Sequence, residues 1–266
     1  MKISQDQKQA NRKAIIRAAV EMIGAMDVQG ASMRSIAQKA GMGDATIYNY
    51  FPNKEAILFG YYHDHMIDVI EALKAIPDFH TFNLQEQLQT LFDTSISLYT
   101  PDRAFVTKSF RDVLLGGSRD WKQAKPIRTL FLSAVNDMLA AAVEVGEIPE
   151  PVFTDLIGQF YMDAYIATIV YWLADRSEGF QNTDVMIDQG LNLSCAMLKA
   201  GIANKIFDIA VFFFKNHVLN KLDYFVEPLQ KAHPQDVPAV EPGNGSAARS
   251  GLPGTGQGLP SGAAHQ

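Results

Sequence analysis

Apolar residues in this chain recur at the spacing of an α-helix almost from end to end, and that regularity excludes most folds. Ile15, Ala18, Ala19, Met22, Ile23 and Met26 follow the i, i+3, i+4, i+7 pattern of a helix with one face turned to a core. The same period predicts helices over 8–26, 33–40, 45–50, 53–76, 84–99, 103–115, 126–145, 150–176, 183–199 and 202–225. No segment shows the period-two alternation of a strand, and no repeat unit is present. The expected fold class is all-α.

The breaks between helices have their own chemistry. "DVQG" ends the first helix, with Gly30 able to take a positive φ, and Ser32 fits the N-cap of the second. "GMG" ends the second. Pro52 closes the third and sits where the next helix needs no donor. Later breaks fall at Pro101, "GGSRD", "GEIPEP", "SEGFQN" and Gly201. From about Pro228 the chain turns to Pro, Gly, Ser and Ala, the composition of a disordered tail over 229–266.

Charge is distributed unevenly. The net charge is −6, yet residues 1–60 carry eight Lys/Arg against five acids, and a basic head on an acidic body suits a chain that meets phosphate at one end. The N-terminal "MKISQDQKQANRK" lacks the apolar centre of a secretory signal. The longest apolar run, Ala164 to Ala174 with Thr168 as its one polar residue, falls short of the roughly 20 residues that span a bilayer. With Cys195 the single cysteine, no intrachain disulfide can form. These features predict a cytoplasmic protein with no membrane partner; nucleoid association follows only from the resemblance described below.

Three short helices, the second and third joined by a glycine-containing turn, are the parts of a helix-turn-helix. In such a unit the first helix of the pair braces the DNA backbone and the second lies in the major groove. Ile36 and Ala37 are expected to pack inward on Ile47, with Ala40 small enough for a close crossing. Thr46, Tyr48 and Asn49 then face outward.

The segments "IIRAAVEMI", "GASMRSIAQKAGM" and "TIYNYFPNKEAIL" resemble the N-terminal domain of TetR-type bacterial transcriptional regulators over about residues 12–58. The resemblance implies a helix-turn-helix head over 8–68, with the helix-turn-helix itself at about 31–50. A long helix from Asn53 then leads into an effector-binding and dimerisation body over 69–228. It also implies DNA contacts from Thr46 and Tyr48, from Ser32 and Arg34 on the helix-2 side, from Lys54, and from Arg12 and Lys13 on flanking phosphates. Ala45 and Asn49 complete the recognition segment. One departure stands out: Gly43–Asp44–Ala45 occupies the place where the family commonly has Ser–Lys–Gly. That substitution removes a hydroxyl and a cation from an edge where phosphate contacts set the salt-dependent affinity. Asp44 is then either the N-cap of the recognition helix or an acceptor for a cytosine amine.

The body carries Phe92, Tyr99, Phe105, Phe110, Phe131, Met138, Phe160 and Tyr165 with Asp112 among them. They read either as ordinary core or as walls of an apolar cavity for a lipophilic or aromatic effector. In the helix over 150–176, Tyr161, Ala164, Thr168, Tyr171 and Trp172 occupy more than one face, so cover from a second subunit is expected as well as from the core. By resemblance the chain is a homodimeric repressor on a palindromic double-stranded operator, released by a small effector. Two alternatives stand beside it. One is an effector-independent regulator controlled by a protein partner; the other is a membrane-associated interaction protein using 202–225. No catalytic constellation or cofactor loop is recognisable, and His63 and His65, two apart on a helix, point away from each other and cannot share a metal ion.

Overall fold

The computed structural model describes the backbone of residues 4–213, and the side chains of all of these except 114–121, 203, 207, 210 and 213. The expected tail over 229–266 and the end of the expected 202–225 helix lie outside the described residues. The helices are α1 (Gln5–Ala25), α2 (Met33–Lys39), α3 (Lys54–Lys74), α4 (Leu84–Tyr99), α5 (Arg103–Glu144), α6 (Thr154–Ala174), α7 (Gln181–Lys199) and α8 (Ile202–Phe213). A short 3-10 turn, Ile47–Asn49, stands between α2 and α3. No strand occurs among the described residues, and the fold is all-α as the periodicity implies.

Helix starts follow their caps. Ser4 accepts from the backbone of Gln7 at the head of α1, and Asn53 accepts from Ala56 at the head of α3. Ser32 with Ser35, and Asn83 with Glu86, form reciprocal capping boxes on α2 and α4. The left-handed turn after α2 belongs to Gly41, at φ +71°. Gly30, read as able to take a positive φ where the first helix ends, does not take one and donates its N–H to the Asp27 carboxylate in the α1–α2 loop.

Two expectations fail in this region and in the body. The segment 45–50 is no α-helix but a turn followed by the single 3-10 turn of Ile47–Asn49. In the body, the helices expected at 103–115 and 126–145 are one, α5, which runs through both "GGSRD" and Pro126. An internal proline costs a helix about 3 kcal/mol through its missing donor and its ring. Burial on both flanks outweighs that cost: Phe105, Val106, Ser109 and Phe110 lie in the core on one side, and Phe131, Val135, Leu139 and Ala142 on the other. One stretch of α5, Lys122–Glu144, is long and apolar enough by length and composition to cross a membrane. Asn136 and Asp137 interrupt its apolar residues, and Phe131, Val135 and Leu139 within it pack into the core.

Head and body share one core. Ile15, Ile23, Ile36, Ala37, Ile47 and Phe51 are buried in the head, and the cluster continues along α3 through Ile57, Met66 and Val69 to Leu91, Phe92 and Trp172. The third helix packs against α1, α4 and α5, so it belongs to both parts. The turn between α6 and α7 is pinned to the start of α5 by Arg103. Its Nη2 donates to the carbonyls of Trp172, Leu173 and Asp175 at 3.1, 3.0 and 3.0 Å, while the guanidinium lies over the rings of Trp172 and Phe180. The Asp175 carboxylate accepts from the backbone and hydroxyl of both Ser177 and Thr183. Burial would raise its pKa, but these four hydrogen bonds outweigh burial and hold it down at about 2.

Candidate nucleic-acid interface and internal cavity

The segment from Asp44 to Asn49 presents a mixed face. Ile47 is wholly buried in the same core cluster as Ile36 and Ala37, and it holds the segment down. Asp44, Ala45 and Asn49 are exposed, Tyr48 is 56% exposed, and Thr46 is half-buried. Asp44 does not cap this turn. Its carboxylate pairs with Arg34 Nε at 3.0 Å, and Thr46, at the cap position, makes no side-chain cap bond. A single 3-10 turn leaves few free N–H groups to reward a cap, whereas Arg34 projects from α2 within reach. Both partners are well exposed, so the pair is worth ~0–1 kcal/mol and Arg34 is released at little cost.

Two of the expected phosphate contacts are occupied within the chain. Arg12 pairs through Nη1 with Asp64 on α3 and lies 5.5 Å over the Phe51 ring, which places it as a joint between α1 and α3. Lys54 donates to the carbonyls of Val28 and Ala31, the latter at 2.9 Å, and so holds the α1–α2 loop against α3. Lys39 and Arg17 share Glu21, and Arg17 also pairs with Asp102. Among the described residues of the head, Lys8 and Lys13 are exposed and have no carboxylate within salt-bridge distance. Lys8 was not singled out from the sequence, though it stands one turn before Arg12 on α1. It borders the same cleft as Asn49 and Tyr50, and the Tyr50 hydroxyl accepts from Asn11 at 2.8 Å.

The Lys54 geometry makes a definite prediction. Lys54→Met should lower the unfolding free energy by about 1–2 kcal/mol, since two carbonyls lose a charged donor. The slope of log affinity against log salt for DNA should stay unchanged. Urea unfolding and a salt titration of DNA binding check both; a slope reduced by about one would return Lys54 to the phosphates.

Inside the body, a cavity of about 160 Å³ lies between α3, α4, α5 and α6. Its inner wall is made of buried Tyr62 and Met66 from α3, Tyr99 from α4, and Tyr165 and Ile169 from α6. Its outer side is α5, where Val113, Ala124, Ile127 and Arg128 are half-exposed. Of the residues expected to wall a pocket, Tyr99, Phe110 and Tyr165 line this cavity. Phe92, Phe105, Phe131 and Met138 are core instead, Asp112 is exposed, and Phe160, 53% exposed, lines a separate groove of about 470 Å³ between α6 and α7 with Leu156, Tyr161 and Met197. Core and cavity wall use the same residue types, so composition could not separate them.

Behind the inner wall runs a buried polar network. His65 Nε2 and Ser95 Oγ are hydrogen-bonded at 2.9 Å, and Ser95 is in turn bonded to the Tyr165 hydroxyl, which also meets Tyr99. The His65 ring stacks on Tyr99 with centroids 3.4 Å apart, and the Tyr62 hydroxyl meets Ser109 at 2.8 Å. Burial pushes the Tyr62, Tyr99 and Tyr165 hydroxyls upward, Tyr165 to about 12, and lowers His65 to about 3. His65 is therefore neutral in the fold at neutral pH. A histidine whose folded pKa is depressed contributes stability that is complete above about 6.5 and is lost as pH falls toward 3. Between pH 6.5 and 4, His65→Gln should show a shallower loss of stability than the wild-type chain in acid-unfolding curves; identical slopes would contradict a buried neutral imidazole.

The residues expected at a subunit face lie on different sides of α6. Tyr161, Thr168 and Trp172 are buried in their own chain, Ala164 is half-buried, and Tyr171 is exposed. The face turned outward carries Leu156, Phe160, Val170 and Tyr171, and α7 adds Val185, Leu193 and Met197; Leu156 and Leu193 are 66% and 63% exposed. A helix apolar almost all round has no periodic signal to say which side meets its own core.

A basic N-terminal helix-turn-helix, joined by one long helix to a cavity-bearing helical body, defines the class of DNA-binding transcription regulators with a built-in ligand-sensing part. Residues 15–60 match the family described as bacterial regulatory proteins, tetR family, and residues 87–213 match the tetracyclin repressor-like C-terminal domain. The chain belongs to the TetR family of bacterial transcription regulators. It is 27% identical over 200 residues to the fatty acid metabolism regulator protein of Bacillus subtilis (strain 168), covering 75% of this chain and 99% of that protein. Its fold is like that of the fatty acid degradation regulator FadR from Bacillus halodurans, with a TM-score of 0.56 at 19% identity, over 71% of this chain and 94% of that one. It is equally like FadR from Bacillus subtilis in complex with stearoyl-CoA, with a TM-score of 0.56 at 24% identity, over 71% and 98% of the two chains.

Proposed function

We propose that this regulator is a homodimeric repressor whose palindromic operator is released when a lipophilic, acyl-type effector enters the cavity of the body. The observation that carries the reading is the path of α3. It starts in the head at its Asn53 cap and gives Tyr62 and Met66 to the cavity wall. A ligand in the cavity thus touches the same helix that supports the helix-turn-helix. An effector that binds better to a position of α3 with the wrong head spacing weakens operator binding by its differential affinity. The acyl character is taken from the fatty acid regulators that the chain resembles.

In this reading the head is about 8–68 and the body follows from 69. Tyr48, Thr46, Asn49 and Ala45 meet the major groove, with Ser32 and Arg34 from α2. Lys8 and Lys13 hold phosphate, and Asp44 parks Arg34 when DNA is absent. The exposed apolar face of α6 and α7 pairs with its counterpart in a second subunit, and the exposed Ile206, Ile209 and Phe212 of α8 are assigned to the same association rather than to a membrane. Its place is the cytoplasm, with the chromosome, and its role is binding, not catalysis. Selection of genomic fragments on the purified chain tests the proposal. It should enrich a palindrome with half-sites about one helical turn, roughly 34–36 Å, apart. Enriched fragments that share no palindrome would contradict it.

A further inference from the structure

The size and construction of the cavity limit what part of an effector it can hold. A volume of about 160 Å³ lies below the roughly 300 Å³ at which ordinary ligand pockets begin. It is close to the ~150 Å³ of an engineered apolar cavity that takes up benzene, so it accommodates about six carbon atoms. A stearoyl chain carries about three times as many.

The inner wall cannot retreat easily. Tyr165 is held by Ser95 and Tyr99, Tyr99 is stacked on His65, and Tyr62 is held by Ser109. Moving any of these rings to admit a longer chain breaks buried hydrogen bonds that no water replaces. The sides are softer, because Met66 and Met162 are thioether chains that repack without loss of a hydrogen bond. On the outer side, the half-exposed Val113, Ala124, Ile127 and Arg128 form the mouth, so any polar or charged head group stays outside beside Arg128.

We infer that the effector's buried part is a short acyl chain of about six carbons, with the Tyr62–Tyr99–Tyr165 wall as the stop that sets its length. This inference rests on the acyl reading above and adds chain length and the residues that fix it. The head group is that of a free short-chain acid or of its CoA thioester; both present the same tail and an anionic end to the mouth.

The test is calorimetric titration of the full chain, without DNA, with butyryl-, hexanoyl-, octanoyl- and palmitoyl-CoA and with the corresponding free acids. Hexanoyl or octanoyl compounds should bind tightest, and palmitoyl compounds at least about tenfold more weakly. The thioester and free-acid arms show which head the mouth accepts. Met162→Ala, which widens the side of the cavity and leaves the tyrosine wall intact, should move the optimum to a longer chain. Palmitoyl binding as tight as hexanoyl binding in the unaltered protein overturns the length assignment and leaves the acyl reading standing. Absence of binding by every acyl compound overturns both.

Discussion

Alanine at both Thr46 and Tyr48 is expected to weaken operator binding by about a thousandfold while leaving the unfolding temperature within about 2 °C of the parent. The two effects separate because the segment divides its labour. Ile47, between the two residues, is wholly buried and anchors the turn, whereas Tyr48 is mostly exposed and Thr46 makes no capping bond. Removing them therefore takes little from the fold. A contact to a base edge or phosphate at such positions is worth about 1–3 kcal/mol, and a dimer loses each contact twice. Fluorescence anisotropy with a selected operator, beside calorimetric unfolding, checks the prediction. Unchanged affinity would mean that this face does not meet DNA.

Glutamate at both Phe160 and Leu193 is expected to convert the dimer to monomer at micromolar concentration and to reduce operator affinity more than a hundredfold. Both side chains project outward from α6 and α7, so charge there leaves the chain's own core intact. A stable interface buries about 1,200–2,000 Å² with an apolar centre, and two carboxylates placed there on each subunit must be desolvated without partners. Affinity falls because two linked heads hold a palindrome far more tightly than one. Sedimentation velocity and circular dichroism decide it. A folded variant that remains dimeric would place the subunit contact elsewhere.

The parts of the fold read correctly from sequence are those encoded within one or two helical turns. The cap at Ser32 and the inward set Ile36, Ala37 and Ile47 are local patterns, and the structure realises each. What the sequence does not carry depends on partners distant in the chain. Arg12 reads as a phosphate ligand, and the structure adds a pair with Asp64 on another helix. Lys54 is taken by carbonyls of a loop that precedes it by more than twenty residues. Asp44 caps nothing because Arg34 reaches it first. Pro126 would end an isolated helix, and only burial on both sides of it keeps α5 continuous. Of the cavity wall, only Tyr99, Phe110 and Tyr165 are in the set read from the sequence, and Tyr62 and Met66 of α3, which tie the cavity to the head, carry no sequence mark that distinguishes them from core.

The coupling through α3 is tested most directly by one thermodynamic square. Operator affinity is measured with and without a saturating acyl-CoA, and acyl-CoA affinity with and without operator. If cavity and head are linked, the effector weakens operator binding by at least about fivefold, and the operator weakens effector binding by the same factor. An acyl-CoA that binds the chain and leaves operator affinity unchanged would contradict the coupling.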